Sequence, residues 1–87
     1  MSKPIEELPN LGPATARMLA RIGVVDERGL AELGPVEAYA RMRFISTRGL
    51  SLNALYSMDA ALRGESWRNV SSVRKAELRR ALAERGR

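Results

Sequence analysis

Chemistry needs groups that can hold a proton, a charge or a ligand, and this chain of 87 residues offers few of them in useful combinations. It has no histidine and no cysteine, which excludes a zinc site, a disulfide scaffold and thiol chemistry, and removes the usual general base near neutral pH. Ser46, Thr47, Ser51, Ser57 and Ser66 therefore have no imidazole to activate them, and neither Lys3 nor Lys75 stands in a suggestive Ser-Lys context. The carboxylates are scattered and mostly neighbours of arginine, as in Asp26-Glu27-Arg28. There is no glycine-rich phosphate loop and no acidic metal cluster. A non-enzymatic protein without cofactor, metal or small-molecule substrate is expected.

One segment does carry information, Leu8-Pro9-Asn10-Leu11-Gly12-Pro13-Ala14-Thr15-Ala16-Arg17-Met18-Leu19. It resembles a helix-hairpin-helix, in which two short helices meet through a tight glycine-containing turn. The glycines let backbone approach a phosphate, and the second helix offers its unpaired N–H groups to it. Such binding positions a protein on nucleic acid without reading base sequence. Gly12 matches the second glycine, Ala16 the small residue where the helices touch, and Leu8 and Leu11 the packing positions. Asn10 stands where another glycine is usual, and asparagine tolerates the left-handed conformation needed there. Pro13 suits the first helical position but removes one N–H. The expected nucleic-acid contacts are Asn10, Gly12, Ala14, Thr15 and Arg17. The plain structural alternative is an αα-turn that only packs Leu8, Leu11 and Met18.

Charge gives a second, weaker signal. Residues 1–40 carry four basic and six acidic groups, a net of −2, whereas residues 41–87 carry eleven basic and four acidic, a net of +7. A one-sided basic balance suits a polyanionic partner, because phosphate contacts release counterions. Thirteen of the fifteen basic residues are arginine, however, and a solvated arginine-rich surface accounts for the balance equally well. The pairs Arg74-Lys75 and Arg79-Arg80 are candidates for a basic helix face, and Arg74, Lys75 and Arg79 are taken as supporting nucleic-acid contacts.

These groups must be positioned by helices. The composition is 45% hydrophobic but only 5% aromatic, so Leu, Ala, Met, Val and Ile must build the core, a palette that favours helix over strand. A chain of this size buries about 60–65% of its unfolded surface and makes one modest domain. Proline and glycine divide it into short pieces. A brief helix from Pro4 is closed by Pro9; the next, Ala14 to Ile22, has Ala14, Met18 and Ile22 on its apolar stripe and stops at Gly23. Asp26 is the expected N-cap of a two-turn helix with Leu30 and Leu33 inward and Gly34 as C-cap. Pro35 opens a fourth, with Val36, Tyr39 and Met42 inward and Arg41 and Arg43 in solvent. Ser46 to Gly49 reads as a loop.

The stretch Leu52 to Leu62, N-capped by Ser51, is apolar nearly all round and should be central, so Asp59 within it needs an arginine partner or a place on the rim. Gly64 ends it, and Glu65 to Asn69 is a turn or short helix carrying Trp67, expected in the core, with stacking on a base as the alternative. A last helix starts near Ser71 or Ser72, docks through Leu78, Ala81 and Leu82, places Arg79, Arg80 and Arg85 in its second half, and ends at Gly86. The fold class is all-α, a compact bundle of five or six short helices beginning with the hairpin. No segment approaches the roughly 18 apolar residues of a membrane span, and Met1 to Glu7 lacks a signal-peptide pattern, so a cytoplasmic protein is expected.

From about Leu8 to Leu82 the ordered set of segments is similar to the C-terminal domain of the TfoX/Sxy competence regulators. The matching pieces are Leu8-Pro9-Asn10-Leu11-Gly12-Pro13, Leu19 to Val24, Leu30-Ala31-Glu32-Leu33-Gly34, Val36-Glu37-Ala38-Tyr39, the run Leu52 to Leu62, Gly64 and Trp67. The resemblance implies an all-α domain with a helix-hairpin-helix-like start, in regulators of bacterial natural competence, and supplies no catalytic residues. Full-length members pair it with an α/β N-terminal domain that this sequence does not include, so the chain is expected to be a stand-alone relative or a piece of a longer protein. Two functions fit: a DNA-binding module, which explains both the hairpin and the charge, and a protein-interaction module acting with a transcription regulator or a separate N-terminal domain.

Overall fold

The computed structural model describes residues 2–85. Among them are five α-helices and no strand: α1 Pro13–Arg21, α2 Glu27–Leu33, α3 Pro35–Ile45, α4 Leu52–Leu62 and α5 Ser72–Glu84. Two 3-10 turns, Ile5–Glu7 and Trp67–Asn69, precede α1 and α5. The expected ending of the last helix at Gly86 falls outside the described residues.

The punctuation seen in the sequence sets these boundaries. Asp26 caps α2 by accepting a hydrogen bond from Gly29 N–H, Ser51 caps α4 by accepting from Asn53 N–H, and Ser71 caps α5 by accepting from Arg74 N–H. Gly34, with φ of 87°, is both the C-cap of α2 and the N-cap of α3, so these helices meet with no linker. The N-terminal residues run against the start of α2: Glu27 N–H donates to Lys3 C=O at 2.8 Å and Arg28 N–H to Ser2 Oγ at 2.8 Å. With Asp26 these contacts satisfy the donors that open the helix.

As its composition requires, α4 is central, packing against α2, α3, α5 and the second 3-10 turn. It buries Leu55, Tyr56, Met58, Asp59, Ala60 and Ala61, while Leu52 at its exposed first position stays outside. Asp59 is only 4% exposed. Arg74 of α5 meets it with two hydrogen bonds, Nη2 to Oδ1 at 2.7 Å and Nε to Oδ2 at 3.1 Å, the bidentate geometry that makes a buried carboxylate tolerable. The hydrogen bonds it donates to Asp59 hold the guanidinium above its ordinary pKa against the opposing effect of burial. At the other end of α5, Arg85 donates to Glu37 of α3 through Nε at 2.8 Å and Nη2 at 2.9 Å. Leu78 is the buried residue of α5 and Leu82 packs beside it, so this helix is clamped at both ends by ion pairs and pinned between them by a narrow leucine stripe.

Three packing expectations need correction. Ala14 is exposed: α1 turns Leu19 inward, with Ala16 and Ile22 flanking it against the core, and a residue five positions before Leu19 lies about 140° round the helix. Ala81 is exposed because α5 docks on the narrow stripe of Leu78 and Leu82. Trp67 is 38% exposed, and it is Val70, at the end of the same turn, that enters the core.

Replacing Arg74 by methionine, which keeps the aliphatic bulk and leaves Asp59 without its bidentate partner, should lower unfolding free energy by about 2 kcal/mol, discounted from the value for a fully buried pair because the Arg74 side chain is one-third exposed. Urea denaturation measures it. A second outcome concerns pH. Hydrogen bonds from Arg85 and then Arg41 lower the Glu37 carboxyl from an ordinary value of 4.5 to about 2. A depressed folded-state value means that the stabilisation is present above the unfolded-state value and is lost as pH falls toward 2. Between about pH 6 and about pH 2.5, Glu37→Gln should therefore lose less stability than the parent chain in parallel urea titrations.

Candidate nucleic-acid interface

The 3-10 turn Ile5–Glu7, the connection Leu8 to Gly12 and helix α1 form the hairpin. Ile5, Leu8 and Leu11 are buried and hold the connection on the core, and Ala16 of α1 packs against the same core. The first arm is thus a single tight turn, shorter than a helix. Asn10 has φ of 70°, the left-handed conformation expected of it.

Its side chain has a further role that the sequence conceals. Asn10 Nδ2 donates to the Glu65 carbonyl at 2.8 Å, and Asn10 Oδ1 accepts from the Trp67 backbone N–H at 3.1 Å. The amide therefore stitches the hairpin to the second 3-10 turn, 57 residues along the chain. Asparagine at a turn announces its own backbone; nothing in spacing or composition names a partner so distant.

Gly12 is the N-cap of α1 with φ of −114° and ψ of −174°, extended backbone open to any residue, and a Cβ placed there would meet nothing within 4 Å. No side chain caps the helix. Its first backbone bond is Ala16 N–H to Gly12 C=O at 3.0 Å, and Pro13 has no N–H, so the Ala14 and Thr15 N–H groups stand ahead of the ladder as potential anion donors. Helix α3 also opens on Gly-Pro without a side-chain cap, but there the glycine is required by its φ of 87°, and Glu37 lies in the first turn. The first turn of α1 holds no acidic residue. Arg17, one turn in, and Arg21 are exposed, with no carboxylate in ion-pair range among the described residues.

The expected basic face of α5 is differently employed. Arg74 is held by Asp59 and by Glu77 at 3.5 Å, so its guanidinium is already engaged within the fold. Lys75 Nζ sits 5.3 Å from the Tyr56 ring centroid, and Arg79 Nη1 donates to Tyr56 Oη at 2.9 Å. Arg80 pairs with Glu84 at 3.3 Å. Nor does α5 extend the hairpin: it packs on α3 and α4, whereas α1 packs on the first 3-10 turn and α3. The structure brings Asn10, Gly12, Ala14, Thr15 and Arg17 together and leaves Lys75 and Arg79 as a separate patch.

The order of these elements, from the hairpin through the central α4 to the tryptophan turn, matches the model of the TfoX C-terminal domain over residues 1–82. The chain belongs to the TfoX C-terminal domain family. Membership connects it with a competence-related family of regulatory type. A search of curated proteins finds no match. Among solved structures, an uncharacterised protein from Listeria monocytogenes in a triclinic crystal form aligns with a TM-score of 0.82 and 24% identity, over 95% of this chain and 93% of that one. A protein of unknown function from the same organism, in a tetragonal form, aligns at 0.78 with 27% identity, over 86% and 91%. Both share the helical fold of this TfoX C-terminal domain.

The stitch made by Asn10 can be separated from its backbone conformation. Asn10→Gly keeps the positive φ and loses two exposed hydrogen bonds, and should cost about 1 kcal/mol. Asn10→Ala loses both features and should cost about 2 kcal/mol. Equal losses in urea denaturation would mean that the side-chain bonds alone, and not the left-handed backbone, account for the asparagine.

Proposed function

We propose that this TfoX C-terminal domain is a non-enzymatic, cytoplasmic module of competence regulation that binds the phosphate backbone of duplex DNA through its hairpin, without a cofactor or small-molecule substrate. The observation that carries this reading is Gly12. The fold does not need a glycine at that position, since neither its backbone angles nor its neighbours exclude a side chain. What the glycine does provide is a bare approach to the Ala14 and Thr15 N–H groups at the positive end of α1. Arg17 and Arg21 supply uncommitted positive charge on the same helix. Asn10 acts by placing the turn, and Lys75 and Arg79 form a secondary basic patch for which no duplex path is assigned.

A second reading, a protein partner, is favoured by a different feature. Phe44 is 92% exposed beside a groove of about 470 Å³ lined by Ile22, Ala40, Ile45 and the Glu37–Arg85 pair. A large aromatic so exposed suits a protein contact better than a phosphate chain.

Gly12→Leu tests the first reading. The variant should remain folded, losing about 1 kcal/mol as a poorer N-cap, yet bind a labelled duplex about tenfold more weakly in fluorescence anisotropy, a change of about 1.4 kcal/mol. For the parent chain, affinity should fall steeply between about 50 and 200 mM salt. Unchanged affinity in the folded variant removes the hairpin from the interface. No binding by the parent chain at low salt turns the search to a protein partner.

A further inference from the structure

The only tryptophan of the chain lies at the surface beside the hairpin. Its backbone is held firmly: Trp67 N–H donates to Asn10 Oδ1, Ser66 Oγ accepts from Arg68 N–H at 3.3 Å, and Asn69 N–H closes the turn on Ser66 C=O at 2.9 Å. Val70, which closes the turn, is buried in the core. A ring 38% exposed on so constrained a turn has lost its freedom without being fully buried. The Arg68 guanidinium lies over the ring, 5.7 Å from its centroid, and Arg63, half-exposed, has only loose carboxylate neighbours, Asp59 at 3.9 Å and Glu65 at 3.8 Å. An exposed aromatic face with an arginine over it is the combination that receives unpaired bases, the ring stacking on the base while the cation meets a neighbouring phosphate.

We infer that Trp67 is a stacking platform for an unpaired nucleobase, so that the domain binds single-stranded or frayed nucleic acid across the junction stitched by Asn10. The inference rests on the nucleic-acid reading of the hairpin and extends it from duplex backbone to exposed bases. The base takes the ring face that Arg68 covers in the free protein, and Arg68 moves from the ring to a flanking phosphate. Stacking is indifferent to base identity because every base has a π face, and it does not by itself separate DNA from RNA.

The single tryptophan makes the test direct. Oligo-dT and oligo-U are titrated into the full chain while its intrinsic fluorescence is followed, in parallel with the anisotropy of labelled oligomers and of a labelled blunt duplex. Stacking quenches Trp67 in step with the anisotropy rise. Trp67→Ala should bind the single strand at least about tenfold more weakly, and Trp67→Phe, which keeps a π face, should fall between the two. Circular dichroism checks that both variants are folded; should the alanine variant unfold, the quenching and the phenylalanine variant decide. Quenching by oligo-dT alone, or by oligo-U alone, supports the platform and assigns it to DNA or to RNA. Duplex binding with an unquenched Trp67 and unaltered single-strand affinity in the variants overturns this inference and leaves the hairpin reading standing. Binding of neither strand nor duplex overturns both.

Discussion

A carboxylate sits on the most buried helix of this domain, and satisfying it organises much of the rest. Asp59 lies on α4 among Leu55, Met58 and Ala60, where an unpaired charge would be prohibitive. The cation comes from the opening turn of α5, through a fork whose planar geometry fixes direction as well as distance. With Leu78 as its buried apolar anchor, α5 has little hydrophobic force to choose an angle; Arg74 at one end and Arg85 at the other choose it. The cost is that an arginine-rich helix has less free charge than its composition advertises.

That cost bears directly on the reading of function. The +5 balance of the sequence suggests a broad basic face, but the guanidinium groups of α5 are in large part turned to internal work: Arg74 on Asp59, Arg79 on a tyrosine hydroxyl, Arg80 on Glu84 and Arg85 on Glu37. Among the described residues the arginines of α1 have no such partners, although the first half of the chain is the acidic one. Electrostatic character at the scale of a ligand is set by which charges are already answered, and net charge along the sequence does not report that.

Local features were the most legible. Asp and Ser caps place the starts of α2, α4 and α5 to within a residue or two, and Gly-Pro those of α1 and α3, because capping depends on neighbours in the sequence. The central place of α4 followed from its apolar circumference, and the need of Asp59 for an arginine followed from that. What stayed hidden is long-range. No spacing says that Arg74, among thirteen arginines, is the partner, or that the Asn10 amide reaches Trp67. The position of Trp67 was misjudged for a related reason: average burial of tryptophan says nothing about a turn whose backbone is tied to a neighbouring loop. Ala14 and Ala81 were misplaced because alanine fits either side of a helix, leaving the larger residues to decide which arc faces in.

Gly34 closes α2 and opens α3 in a single residue. A connection with no spare residue leaves the φ and ψ of Gly34 as the only torsions that set the angle between the two helices. Helices α2 and α3 also pack on each other, and α1 packs on α3, so that one glycine sets how the hairpin is presented relative to α2. The longer link from α3 to α4 is tied down, Tyr39 Oη donating to Leu50 C=O at 2.6 Å and Ser46 Oγ to Gly49 C=O at 2.9 Å.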